Sequence, residues 1–313
     1  MYLPIMPLIL TVLIAGFLFG SLPATAKTFD WEAPKVADHE MAFRLYVPDD
    51  LPKVRSVIIL TPGFKADGLR MVDGKAWKAL AKKHQSALLG CSMRGEEGGK
   101  YYEVEKWGGE VLLEGLKKLA EASSHPEIAT APLAFHGYSA GGQFNYNFAC
   151  WKPERTLAFV VNKGGYYGPH INAEVRRVPA LWILGARDKD FRIQNITTLY
   201  GENRQQGALW ALVTEPNASH EVARSSEIGA AFIDEALTSR LDAGGSIKPA
   251  DTATAWLGDL ATREITRNSE AGPGPLTHSW FPGQKTAELW KSIVSAPVVA
   301  PAPEKTPAVQ SEN

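Results

Sequence analysis

Ala134-Phe135-His136-Gly137-Tyr138-Ser139-Ala140-Gly141-Gly142 is the stretch on which the reading of this sequence turns. Its centre, Gly137-Tyr138-Ser139-Ala140-Gly141, sets a serine between two glycines. An apolar run, Pro132–His136, precedes it, and a segment of helical composition, Gly141–Trp151, follows. A serine on a sharp strand-to-helix turn stands on strained backbone, and the glycines on either side avoid clashes there. The helix that begins next aims backbone N–H groups at any oxyanion formed when the serine attacks a carbonyl. This setting predicts Ser139 as a nucleophile; the plainer alternative is a serine that only caps the helix.

Working outward, apolar or β-branched runs recur at Phe43–Val47, Ser56–Thr61, Ser86–Cys91, Leu157–Asn162, Ala180–Leu184 and Ala208–Val213. Most are nearly continuous, the mark of strands covered on both faces. Between them lie helix candidates at Gly68–His84, Glu105–Ala122, Phe191–Arg204 and Glu221–Leu241; Val111, Leu112, Leu116 and Leu119 share one face of the second. Alternating strands and helices predict an α/β fold, a mostly parallel central sheet with helices on both faces. After Leu241 the pattern changes. Residues 242–250 read as a loop, Asp251–Ile265 and Gln284–Val294 as short helices, and Val298–Asn313 as a disordered Pro/Ala/Glu-rich tail. The expected organisation is a catalytic domain over 27–241, an extension over 242–297 that packs on the core, and a tail over 298–313.

A serine at neutral pH needs a base, and the base needs an orienting group. The run Leu181–Leu184 leads into Gly185-Ala186-Arg187-Asp188, and Leu209–Val213 leads through Glu215-Pro216-Asn217-Ala218-Ser219 to His220. Ser139, Asp188 and His220 thus follow one another in the order nucleophile, acid, base, each just beyond a strand, where sites in such sheets lie. Asp190 is the competing acid. Of the other histidines, His84 and His125 read as solvated helix ends, His136 as packed and hydrogen-bonded, and His170 as a cleft residue. A second oxyanion donor besides the Ala140 N–H is expected from the loop Thr61-Pro62-Gly63-Phe64-Lys65, through the N–H of Phe64; an ordinary Pro-Gly turn is the alternative.

With these residues in place, the sequence resembles the α/β-hydrolases over roughly 40–241. His136-Gly137-Tyr138-Ser139-Ala140-Gly141-Gly142, followed by Pro153-Glu154-Arg155, resembles secreted serine esterases of the polyhydroxybutyrate depolymerase and feruloyl esterase type. The resemblance implies a serine esterase with Ser139 as nucleophile, His220 as base, Asp188 as acid, Phe64 and Ala140 as oxyanion hole, and neither metal nor organic cofactor. Two departures stand out: Pro62-Gly63 occupies the place of the usual His-Gly, and two cysteines are too few for the disulfide-rich polymer depolymerases.

Composition narrows the alternatives. The 313 residues are 45% hydrophobic with a formal net charge of -1, enough for a large core and unlike a disordered chain. The 33 Lys+Arg against 34 Asp+Glu form no basic block, so nucleic acid is not an expected partner. Cys91 and Cys150 suit either one bridge or two buried thiols. No charge precedes Lys27, an apolar run covers Leu8–Leu18, and Ala24-Thr25-Ala26 supplies a small-x-small site. That pattern predicts a signal peptide over 1–26 and a secreted or periplasmic protein without a membrane anchor after cleavage; a membrane-spanning anchor is the competitor. Gly68–Lys75 fails as a phosphate loop, having one residue too many between its glycines and Ala76 after the lysine. The expected ligand is a small-molecule or polymeric ester. Lys65, Tyr138, Tyr166, Tyr167 and Phe191 are its expected contacts, and Arg94, Tyr101, Tyr102 and Trp107 are further rim candidates. A serine peptidase and a catalytically silent binding protein on the same scaffold are the rival readings.

Overall fold

The computed structural model describes residues 27–35, 39–95, 103–168, 172–270 and 272–300. The expected signal peptide, Tyr101, Tyr102, His170 and all but the start of the expected tail lie outside the described residues. Eight strands form the main sheet: β1 (Lys27–Glu32), β2 (Glu40–Val47), β3 (Ser56–Thr61), β4 (Ser86–Arg94), β5 (Leu133–Tyr138), β6 (Thr156–Asn162), β7 (Ala180–Gly185) and β8 (Trp210–Glu215). Their spatial order is β1-β2-β4-β3-β5-β6-β7-β8. The six from β4 to β8 in that order run parallel, and β2 pairs antiparallel with both β1 and β4.

Each central strand is apolar on both faces because each face is covered. On β3, Val57 and Ile59 join one core with Leu112 and Leu116 of α2 (Gly108–Ser123) and Phe144 and Phe148 of α3 (Ala140–Trp151). Ile58 and Leu60, pointing the other way, meet Trp77 of α1 (Lys75–His84) and Ile228 and Phe232 of α6 (Ser225–Arg240). Side chains of this size stabilise by about 1.5–3 kcal/mol each when fully buried. The remaining helices are α4 (Ala173–Arg176), α5 (Asp190–Arg204) and α7 (Gln284–Val294). The expected helix over Gly68–His84 is divided at Gly74, with a 3₁₀ turn over Leu69–Asp73 before α1. The one expected over Glu221–Leu241 begins only at Ser225, because Ala223 at φ 44° breaks helical backbone; the Glu215 carboxylate accepts the Arg224 N–H that follows.

The helix expected over Asp251–Ile265 does not form. Strands β9 (Trp256–Asp259) and β10 (Ile265–Arg267) pair there, and β11 (His278–Phe281) lies on the other side of β9. The Asp259 carboxylate accepts the N–H groups of Ala261 and Thr262, a local turn that competes with helix. This small sheet and α7 cover the exposed edge of β8. Ser279 Oγ accepts from the Leu212 N–H at 2.9 Å, and Trp290 Nε1 donates to the Leu212 carbonyl at 2.7 Å, so side chains cap groups a further strand would take. Buried Arg204 ties the same segment down by donating to the carbonyls of Pro273, Pro275 and His278.

Cys91 and Cys150 are separate buried thiols, and burial pushes both upward. His84 corrects the expectation of a solvated helix end: it is buried, with Nε2 2.6 Å from Asp234 Oδ1. His136 is packed as expected, against the Trp77 ring and 3.3 Å from the Ser225 carbonyl.

Candidate active site

The turn from β5 into α3 sets Ser139 at φ 53°, ψ -119°, a region that residues with side chains seldom occupy. Packing holds it there. The Ser139 N–H donates to the Asn162 carbonyl at 2.7 Å, and Thr61 Oγ1 donates to Asn145 Oδ1 at 2.9 Å while lying 3.1 Å from the Gly141 carbonyl oxygen. A Cβ on Gly137 would lie 2.2 Å from Thr61 Oγ1, and one on Gly141 would lie 2.4 Å from the Pro62 carbonyl. Close approach therefore requires both glycines, of the Thr61 and Asn145 side chains at Gly137 and of the β3 loop backbone at Gly141.

Ser139 Oγ is 3.0 Å from His220 Nε2, and His220 Nδ1 is 2.8 Å from Asp188 Oδ2. A carboxylate only accepts, so the proton lies on Nδ1 and Nε2 accepts from the serine hydroxyl. Asp188 is nearly buried; Asp190 is exposed at the start of α5, and it is Asp188 that His220 meets. Burial alone raises the Asp188 carboxyl. The His220 bond, the Lys189 N–H and the charges of His220 and Arg192 outweigh that and hold it below the usual carboxylate range. The arrangement can take a proton from a hydroxyl on a strained turn and stabilise the imidazolium that results.

The loop after β3 lies against this turn: a Cβ on Gly63 would come within 3.1 Å of Tyr138 and 3.7 Å of Ser139 Cβ. Phe64 is the next residue, half-exposed, with the ammonium of Lys65 5.2 Å from its ring centre. Ala140 opens α3, where the first N–H groups lack intrahelical acceptors. Tyr138 packs its ring 5.2 Å from His220 and donates to the His220 carbonyl at 2.7 Å. Tyr166 is 61% exposed and stacks on Phe191 at 5.5 Å. Tyr167 turns inward instead: its ring meets Trp182 and Tyr146, with the hydroxyl buried, so of the expected contacts it is the one directed at the core. Among the described residues, no group of three or more His, Cys, Asp or Glu side chains could hold a metal ion.

Three neighbours of the site were not expected from sequence. Arg192 Nη1 donates to Asp188 Oδ1 at 3.1 Å, and the i,i+4 spacing of the two was a usable signal. Buried Lys163 and Glu215 pair behind the His220 loop, and nothing in their separation of 52 residues announces the contact.

No family model and no curated protein matches the sequence. Solved structures resemble its fold. A ferulic acid esterase superposes with a TM-score of 0.53 at 12% identity, over 68% of this chain and 98% of the other. Poly(aspartic acid) hydrolase-1 from Sphingomonas sp. KT-1 aligns with a TM-score of 0.47 at 18% identity, over 68% and 99%. An S-formylglutathione hydrolase from Staphylococcus aureus aligns at 0.47 and 12%, over 68% and 96%. With the strand order above, the first of these likenesses shows that the chain has the α/β-hydrolase fold.

Proposed function

We propose that this chain of α/β-hydrolase fold is an exported serine hydrolase that cleaves carboxylic esters through an acyl-enzyme. The observation that carries the reading is the hydrogen-bonded line from Ser139 Oγ through His220 to Asp188, mounted on a strained strand-to-helix turn. His220 Nε2 accepts the Ser139 proton as Oγ bonds to the ester carbonyl carbon. The carbonyl oxygen becomes an oxyanion, held by the N–H groups of Ala140 and Phe64. Collapse breaks the bond to the alcohol oxygen, which leaves with the proton from His220. Water, deprotonated by His220, then attacks the acyl-enzyme and releases the carboxylic acid and free Ser139.

Phe64 and Tyr166, both exposed and on loops flanking the serine, suit a small-molecule or polymeric ester with an apolar face. Export rests on the uncharged apolar N-terminus ending in Ala24-Thr25-Ala26, and a secreted or periplasmic location follows from it.

The test is labelling by a fluorophosphonate probe beside Ser139→Ala, followed by a chain-length series of aryl esters. Labelling is expected in the wild type and lost in the variant, with ester turnover down by roughly four orders of magnitude or more. A folded wild type that does not label defeats the proposal in favour of a silent binding protein. Peptide anilides cleaved as fast as esters would move the assignment to a peptidase.

A further inference from the structure

The two oxygens of Asp188 are differently employed. Oδ2 accepts from His220, while Oδ1 accepts from the Lys189 N–H at 2.7 Å and from Arg192 Nη1 at 3.1 Å. Arg192 stands on the first turn of α5, so its side chain leans back toward the residue four positions earlier. Its guanidinium lies 4.7 Å from the centre of the Phe191 ring, which in turn stacks on Tyr166. Gly165 lies against the arm: a Cβ there would sit 3.1 Å from the Phe191 ring and 3.4 Å from Arg192 Cγ and Nε. The side chain is only 20% exposed and is held between carboxylate and ring.

A charge in that place acts on the proton transfer. The imidazolium formed in the reaction is stabilised by Asp188 and opposed by the guanidinium on the far oxygen of the same carboxylate. The other groups around His220 are common to the wild type and any Arg192 variant, so the effect of the guanidinium is read as a difference between them. Ser139 is neutral, and Tyr138 offers its ring and a bond to the His220 carbonyl. The Glu221 carboxylate, bonded to the N–H and hydroxyl of Ser219, keeps its charge and favours the imidazolium, and behind the loop Lys163 and Glu215 neutralise one another.

We propose that Arg192 is a positioning residue: it fixes the outer oxygen of Asp188 and, by its charge, moves the acid limb of the pH–rate profile toward lower pH. This rests on the Ser139–His220–Asp188 reading above. The experiment measures the rate of fluorophosphonate labelling and kcat/KM for a short aryl ester, across the acidic and neutral range, in the wild type, Arg192→Gln and Arg192→Lys. Arg192→Met replaces the glutamine variant if that one does not fold, and thermal melts establish folding. The acid limb is expected to rise by on the order of half a pH unit in Arg192→Gln, about a threefold loss of rate below the limb. It should stay in place in Arg192→Lys, which keeps the charge. A glutamine variant slowed equally at every pH, or a lysine variant shifted as much as the glutamine one, overturns the proposal and leaves Arg192 a packing residue. A wild type that does not label defeats the underlying reading, whereas a labelled wild type with an unmoved limb defeats this one alone.

Discussion

Lys163 stands at the carboxyl end of β6 with φ 54° and no exposed surface, and its ammonium meets the Glu215 carboxylate and Asn162 Oδ1. The other Glu215 oxygen accepts the Arg224 N–H at 2.8 Å, while the Glu215 carbonyl takes the N–H groups of Ala186 and Ala218. One residue thereby ties both ends of the loop that carries His220. Removing one member of a buried ion pair strands the other, a loss of about 3–5 kcal/mol, whereas replacing both is far milder. Lys163→Met is expected to lower unfolding free energy by about that amount. Lys163→Met/Glu215→Gln, which keeps an acceptor for Arg224, should recover much of the loss in urea titrations. A double variant no more stable than the single one would show that the stranded charge is not the cause. The meeting of Ser139, Asp188 and His220 was legible because the proposed chemistry restricts each to a few residue types just beyond a strand. Lys163 and Glu215 were not, since a buried ion pair between strand ends leaves no periodicity or spacing to read.

At the scale of elements, burial on both faces made the parallel strands visible as apolar runs, from β3 to β8. Strand β1 escaped notice although Phe29 and Trp31 alternate with polar neighbours; it is an edge strand, and six residues carry a short signal. Residues 251–265 misled for a different reason: alanine, leucine and charged residues there favour helix, but pairing of β9 with β11 and α7 decides the outcome. The residues after α7 return to the site. Asn217 Nδ2 donates to the Pro297 carbonyl at 2.7 Å, Asn217 Oδ1 accepts the Val299 N–H at 2.8 Å, and Arg187 donates to the Val299 carbonyl. The start of the segment expected to be disordered is therefore tied to the loops of Asp188 and His220. Ending the chain at Ala296 is expected to lower kcat/KM on the order of fivefold, about one net hydrogen bond, and to speed amide exchange in 216–220. Unchanged exchange in that loop would dismiss the contact as incidental.

For the molecule as a whole, acid stability is governed by groups buried in different protonation states, and their windows separate. Burial raises Asp234, but bonds from His84 and Lys83 outweigh it and bring the carboxyl from 3.8 to about 2. Its contribution is present above 3.8 and is lost as pH falls toward 2. His136 acts earlier. Its Nε2 donates to the Ser225 carbonyl, Nδ1 has no partner, and burial brings the imidazole from 6.5 down to about 4. Between those values the unfolded chain binds a proton that the folded one refuses, so stability falls as pH drops from about 6.5 to about 4 and this term then levels off. The difference corresponds to roughly 3 kcal/mol. His136→Gln removes the titration while keeping a donor for Ser225. The wild type should be the more stable at neutral pH, because its imidazole packs on Trp77 and α6, and its advantage should shrink by roughly 3 kcal/mol as the window is crossed. Urea titrations of both proteins across the window measure it directly. An advantage that stays constant with pH would mean that the folded protein accepts a proton at Nδ1 as readily as the unfolded chain, and that acid sensitivity begins only with the carboxylates.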